Sequence, residues 1–309
     1  MPAFTHRANA IRQDRSSRIY TAIVYALIAI LTLVITYPLY FCVIASFSDP
    51  TQVSAGRTLL WVKDFTLDAY KNILKETKLW IGYRNTIIYT LLGTLYNLVL
   101  TISAAYVLTK KYLPFRKILS WFFFITMFIG GGLVPTYLWM GKLGMVNNPL
   151  VMIIGTGVSA YNLIVTRQYF STSIPADVYE AANIDGASEL VCFSRIALPL
   201  AKPIIAVMAL YYGVGHWNDY YTALIYLNKE KYQPLQLALR NILISNQMLL
   251  LTPGTTTDVS TMEYLLNRAH AALGMKYSII FVASLPLLIV YPFVQKYFTK
   301  GVMIGSVKG

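Results

Sequence analysis

Ile174-Pro175-Ala176-Asp177-Val178-Tyr179-Glu180-Ala181-Ala182-Asn183-Ile184-Asp185-Gly186-Ala187-Ser188-Glu189, continuing through Leu190 to Pro199, is a polar, acidic stretch set between two long apolar runs. Its local chemistry reads as helix, turn, helix. Pro175 suits a first helical turn, where its missing N–H costs nothing. Glu180, Ala181 and Ala182 favour helix. Gly186 ends the helix, because glycine accepts a left-handed cap. Asp185 or Ser188 can cap the helix that follows. That second helix carries Leu190, Phe193 and Ile196 at helical spacing and is expected to stop at Pro199. Small alanines beside a carboxylate leave room for another protein's groove to come close. An amphipathic hairpin that merely joins two membrane helices reads equally well from these residues alone.

The flanks explain why this loop matters. The chain has 309 residues, 56% of them hydrophobic and 13% charged. A soluble domain carries about 25% charged residues, so too few remain here to cover a watery surface. Six stretches reach the length of apolar chain needed to cross a bilayer: Ile19–Phe47 (with Pro38 near its far end), Trp80–Leu108, Ile118–Met140, Pro149–Val165, Pro203–Tyr226 and Tyr277–Tyr297. The expected architecture is therefore an all-α membrane protein with six transmembrane helices. The span Ile118–Met140 holds Gly130, Gly131 and Gly132, which serve either close helix packing or a looser, gated span.

Basic residues set the orientation. Arg12, Arg15 and Arg18 precede the first span; Lys110, Lys111, Arg116 and Lys117 fill the gap after the second; Lys296, Lys300 and Lys308 follow the sixth. With six spans these fall on one side, which the positive-inside rule makes the cytoplasm, so both termini are expected there. The acids Asp177, Glu180, Asp185 and Glu189 then sit in a cytoplasmic loop, 167–202, where basic residues are the norm. The net charge of +13 follows the membrane flanks rather than a binding stripe, so nucleic acid is not an expected partner. No cleavable signal peptide is read at the N-terminus. Cys42 and Cys192 fall on opposite sides and read as small apolar fillers. The outer loop 227–276 is long, and within it Pro234–Leu243 reads as an amphipathic helix at the outer mouth.

No phosphate loop, nucleophile elbow or zinc-protease motif occurs, so no catalytic residue is assigned. His216 has no carboxylate or cysteine at ligand spacing, which leaves metal unassigned and a packed or interfacial histidine as the reading. Asp219, with Asn218 and Trp217 beside it, sits in or at the end of the fifth span. Such a residue either faces a polar pathway or anchors a helix by a hydrogen bond.

Glu180-Ala181-Ala182, then Asp185-Gly186-Ala187, Phe193, Ile196, Leu198-Pro199-Leu200 and Pro203, resembles the EAA loop of type I ABC importer permeases, with its spacing intact. Asn85-Thr86 and Ala104-Ala105-Tyr106 resemble the opening of the permease domain. Trp217-Asn218-Asp219-Tyr220 and the tail from Tyr291 to Gly305 are similar to the branch related to the maltose system's smaller permease, which handles oligosaccharides and polysaccharide fragments. The resemblance implies a type I permease fold whose EAA loop is a coupling helix. Glu180 would pair with an arginine of the ATPase, and Gly186 would be the hinge. Asn85, Trp217, Asn218 and Asp219 become substrate-pathway candidates.

The resemblance also implies the partners and the layout. A second permease, two ATPase subunits holding ATP and Mg, and an extracellular or periplasmic sugar-binding protein would complete the importer in a bacterial plasma membrane. The chain itself would need no cofactor and would not be an enzyme. The layout is a tail over 1–18, a first helix and outer loop over 19–79, a permease domain over 80–297 and a second tail over 298–309. The rival reading is a secondary transporter that uses Asp219 as its ion- or proton-coupling carboxylate. An ABC permease for a non-sugar solute shares the EAA loop, and a membrane-embedded enzyme is a third class.

Overall fold

The computed structural model describes residues 15–251, 274–286, 288–289 and 291–292. The tail before residue 15, most of the outer loop after 251, the end of the sixth expected span and the C-terminal motif beyond Pro292 lie outside the described residues. Among those described, regular structure is helical, with one isolated bridge between Ser48 and Phe65.

Helix α1 (Arg15–Ser46) and helix α2 (Thr77–Thr109) run unbroken at the length and apolarity of a membrane span. Helix α1 continues through Pro38, as helices in lipid commonly do. The third, fourth and fifth expected spans are interrupted. Ile118–Met140 divides into α3 (Arg116–Ile125) and α4 (Leu133–Lys142). Pro149–Val165 divides into α5 (Val151–Ile154) and α6 (Ala160–Ser173). After the hairpin helices α7 (Ala176–Ile184) and α8 (Glu189–Leu200), the fifth stretch is α9 (Lys202–Asn218) followed by α10 (Tyr221–Tyr226). Helix α11 spans Leu235–Leu251 where a shorter amphipathic helix was expected, and a last described helix begins at Gly274.

Each break has a local cause. Gly132 adopts φ +79 ahead of α4, a backbone that side chains resist. Among the described residues nothing packs closely against Gly130 or Gly131. A methyl group at Gly130 would meet nothing within 4 Å, and one at Gly131 only Thr136 Oγ1 at 3.9 Å. Ser159 caps α6 by accepting from the Asn162 N–H at 3.4 Å. Asp219 ends α9 and caps the start of α10, its Oδ1 accepting from the Thr222 N–H at 3.0 Å.

Helix α2 is the central post, packed by α9, α6, α5 and α11. Lipid removes the hydrophobic drive that packs water-soluble helices, so small and polar residues must hold such a bundle together. They do so here. Gly82, Asn85, Thr86, Tyr89, Gly93, Asn97 and Thr101 recur at helical spacing on one buried face of α2, while Leu91, Leu95 and Val99 point outward. A methyl at Gly82 would lie 2.9 Å from the Leu235 Cα, so α11 crosses there in backbone contact. Thr86 Oγ1 accepts from the Leu235 N–H at 2.7 Å.

The Gly93 face binds α9 more tightly still. A methyl at Gly93 would meet the His216 ring at 2.5 Å. The His216 Nε2–H donates to Asn97 Oδ1 at 2.6 Å. Asn97 Nδ2 then donates to the Thr156 carbonyl and, at 2.6 Å, to the Gly157 carbonyl. These carbonyls belong to the break between α5 and α6. One buried amide thus satisfies backbone that lipid could not.

Two elements stand off the bundle. Helix α1 is exposed along most of its length, and Phe122, Phe128, Val134 and Trp139 of the α3–α4 arm are exposed as well. Apolar faces this large are stable only against lipid or another chain.

Candidate functional site

The acidic loop folds as a hairpin at one end of the bundle. Helix α7 starts after Pro175, one position earlier in the proline's role than expected, since Pro175 is the cap rather than the first helical residue. Gly186 takes φ +75, and the Ala187 N–H donates to the Ala182 carbonyl at 2.9 Å. This closes the helix in the left-handed manner that Gly186 allows. Ser188 occupies the cap position of α8 without a side-chain capping bond. Pro199 does not end α8. The helix widens into a π segment over Cys192–Ala197 and passes through Pro199 to Leu200, then turns by 77° into α9. Pro199 lies in the first turn after the π segment, where its missing N–H is least costly.

The hairpin has a buried side and an open side. Ala182 and Cys192 are buried, and Ala187 is half-buried. Glu180, Ala181, Asp185 and Gly186 are exposed. Beside them Ile184 is 86% exposed and Leu190 75%. A carboxylate flanked by small residues and two bare aliphatic side chains makes a surface shaped for a protein partner.

The buried side is fastened to the end of α2. The Glu189 carboxylate accepts from the Tyr106 hydroxyl at 2.9 Å and pairs with Lys110 Nζ at 3.0 Å. Lys110 Nζ also lies 4.4 Å from the Tyr106 ring centre and 4.3 Å from that of Tyr179 in α7. The Phe193 ring packs tilted against Tyr106, with ring centres 4.9 Å apart. One ammonium therefore joins α2, α7 and α8. Burial pushes the Glu189 carboxyl up, but hydrogen bonds from Tyr112, Lys110 and Tyr106 and the Lys110 charge outweigh it and hold it below its ordinary value. Desolvation, together with the nearby Glu189 charge, pushes the Tyr179 hydroxyl up to about 12, so it stays protonated.

Lys110→Met keeps the stem and removes the charge. Cation–π contacts contribute about 0.5–2 kcal/mol each and a half-exposed ion pair less than about 1. Amide hydrogen exchange across 176–197 is expected to speed up by about 5- to 30-fold, with exchange in α2 unchanged. Unchanged exchange in the hairpin would show that Lys110 does not fasten it.

The four pathway candidates separate. Asn85 is buried and its amide is committed, donating to the Lys231 carbonyl at 2.9 Å and the Gln233 carbonyl at 3.0 Å. It ties the backbone at 231–233 to α2. Trp217 is 7% exposed and packs with Leu79, Leu235, Leu239 and Ile279. Asp219 is the α10 cap. Asn218 and Tyr220 are exposed and line a cleft of about 580 Å³ between the end of α9, α11 and the last described helix. Gln236, Arg240 and Ser284 line it too. This cleft lies at the opposite end of the bundle from the hairpin.

Sequence reading missed the parts of the site that act through neighbours. Lys110 counted only as a topology charge, Arg240 went unremarked, and Gly93 and Asn97 were not singled out. The recurrence of small and polar residues along 82–101 could have identified the buried face of α2. Nothing local marks Arg240, because the helices that surround it are distant in sequence.

Residues 77–304 match the family described as binding-protein-dependent transport system inner membrane component. Protein LplC of Bacillus subtilis (strain 168) is 37% identical over 272 residues, 88% of this chain and 89% of its own. A polygalacturonan/rhamnogalacturonan transport system permease protein, YtcP, of the same organism is 33% identical over 293 residues, 95% of this chain and 99% of its own. Among solved structures, a bacterial ABC transporter involved in import of the acidic polysaccharide alginate contains a chain that superposes with a TM-score of 0.82 at 32% identity, covering 93% of this chain and 99% of that one.

Proposed function

The chain belongs to the family of binding-protein-dependent transport system inner membrane components and has the type I ABC importer permease fold, and on that basis we propose that it forms, with a second permease, the pathway by which a sugar crosses the bacterial membrane. As an ABC importer permease subunit it is not an enzyme, and the ATPase is a separate subunit. The substrate we assign is an oligosaccharide or polysaccharide fragment. Relatives named for polygalacturonan, rhamnogalacturonan and alginate transport support that class.

The observation that carries the mechanism is the exposed hairpin fastened to α2. In this reading the spans number six, with α3–α4, α5–α6 and α9–α10 as interrupted ones, and both termini face the cytoplasm. The EAA hairpin, 167–202, projects there. One ATPase docks on Glu180, Ala181, Asp185 and Gly186, with Ile184 and Leu190 as apolar anchors, and Ala182 and Ala187 set the backbone that presents them. ATP and Mg stay in the ATPase, and a second copy sits under the second permease. The bare faces of α1 and the α3–α4 arm are covered by lipid and by that second permease. A sugar-binding protein delivers substrate at the opposite end, beside Asn218 and the 227–276 loop. Closure of the ATPases then pulls the hairpins, and Lys110 and Glu189 pass that movement to α2. A remote site can bias a two-state bundle only through such differential contacts.

Asp219 weighs against the secondary-transporter reading, because its carboxylate is occupied in capping α10. The test is uptake of labelled oligosaccharide by vesicles holding the whole complex and its binding protein. Uptake is expected to require ATP and to persist with an uncoupler. Uptake that survives ATP depletion and collapses with the uncoupler would reverse the assignment.

A further inference from the structure

The cleft beside Asn218 contains a charge that no described carboxylate neutralises. Arg240 projects from α11 into its lining, and among the described residues no carboxylate lies within ion-pair distance of it; the ion pairs there are Lys71–Asp68, Lys78–Glu230 and Lys110–Glu189. Among the described residues no acidic residue lines the cleft. A guanidinium cannot shed its proton to escape partial burial, so its charge must be met by water or by an anion. Its planar fork matches a carboxylate with two parallel hydrogen bonds.

The rest of the lining is made of groups that suit a polyhydroxylated ring. Asn218 donates one amide hydrogen to the Val214 carbonyl at 3.0 Å, which leaves its oxygen and second hydrogen free. Ser284 donates to the Ile280 carbonyl at 2.8 Å and keeps its lone pairs. Gln236 and the Tyr220 hydroxyl make no hydrogen bond among the described residues. Leu239 and Ile279 supply the apolar wall. The volume, about 580 Å³, falls within that of small-molecule sites.

We propose that this cleft is a subsite for an acidic glycan, in which Arg240 binds a uronate carboxylate while Asn218, Gln236 and Tyr220 bind ring hydroxyls. The inference rests on the sugar-permease reading and sharpens it to a charge class. Neutral sugars would leave Arg240 without its counter-charge, so the subsite selects against them.

The experiment uses the whole complex in vesicles, with binding protein at saturation. The probes are oligomers of galacturonate, mannuronate and glucuronate, the methyl-esterified galacturonate oligomer, and neutral galactose and glucose oligomers of equal length. At least one uronate oligomer is expected to be imported. Arg240→Gln should cut that uptake by about 10- to 100-fold, as loss of a charged hydrogen-bonded pair does. Arg240→Lys should fall between, because it keeps the charge without the fork. The methyl ester should enter slowly and show no dependence on Arg240.

Import of neutral oligomers alone, or uronate uptake indifferent to Arg240→Gln, overturns the inference and leaves the sugar reading standing. Failure to import any oligosaccharide overturns the sugar reading itself. If both Arg240 variants lose the assembled complex, Arg240 belongs to a subunit interface and the inference fails. If the Arg240→Gln effect vanishes in phosphatidylcholine vesicles lacking phosphatidylglycerol, its anion is a lipid headgroup and the inference fails as well.

Discussion

Glu180→Lys in the assembled transporter abolishes substrate-stimulated ATP hydrolysis while the chain still inserts and folds. The argument starts from exposure. Glu180 is open to solvent on α7, and no described group of this chain pairs with it. Replacing it therefore removes no contact within the subunit, and the fold is indifferent to the change. In the complex its carboxylate is proposed to meet a cation of the ATPase. Removing one partner of a buried, hydrogen-bonded charge pair typically costs 2–5 kcal/mol, and reversal adds repulsion to that loss. The expected fall in coupled ATPase activity is at least about 30-fold, with Glu180→Gln milder because it keeps the shape and one acceptor. ATPase activity, binding of the ATPase to the permeases and membrane insertion are measured side by side. Undiminished stimulation with normal ATPase binding would remove Glu180 from the coupling surface.

Gly93→Val acts on the opposite property, the packing of the bundle. A single methyl at that position would already sit 2.5 Å from the His216 ring, closer than side-chain carbons approach their neighbours. The ring cannot step aside cheaply. It donates to Asn97, and Asn97 in turn satisfies the Thr156 and Gly157 carbonyls at the α5–α6 break. Overpacking alone costs about 1–3 kcal/mol, and each buried polar group left without its partner adds about 1–3 more. The sum, about 4 kcal/mol or more, is a large part of the 5–15 kcal/mol that separates folded from unfolded chains. Detergent-extracted yield of Gly93→Val is expected to fall to near background, and Gly93→Ala to melt well below the parent. Gly215→Ala is the control, since a methyl there meets nothing within 4 Å. A Gly93→Val chain extracted at parental yield with parental melting would refute the α2–α9 clamp.

Several features were readable before any coordinates. The helix–glycine–helix grammar of 174–199 needed only short-range rules, and the boundaries it set for α7 agree with the structure to within a residue or two. The two long spans, α1 and α2, stand out because their apolar runs are continuous. The third, fourth and fifth stretches read as single helices, and each is divided in the structure. Their breaks at Gly132, at Thr156–Gly157 and at Asp219 depend on partners supplied from elsewhere. A glycine or a short polar residue in an apolar run is compatible with an intact helix or a broken one. Asn97, far away on α2, decides the α5–α6 case by accepting the burden of two free carbonyls. Asn85 and Trp217 show the same limit at the pathway. The resemblance made each a pathway candidate, whereas packing committed one to the 231–233 backbone and the other to the core.

The sequence alone determined the apolar, membrane-like character of the chain and the helix–glycine–helix hairpin, because each rests on local hydropathy or on contacts a few residues apart. Tertiary structure decided which faces meet: that Glu189 and Lys110 lock the hairpin to α2, that His216 seats on Gly93, and that Arg240 faces a cleft with no counter-charge among the described residues. These pairings join residues from distant parts of the chain. In a lipid solvent, where apolar surface gains little from burial between helices, they turn on where a few small and polar side chains come together, which no local pattern reveals.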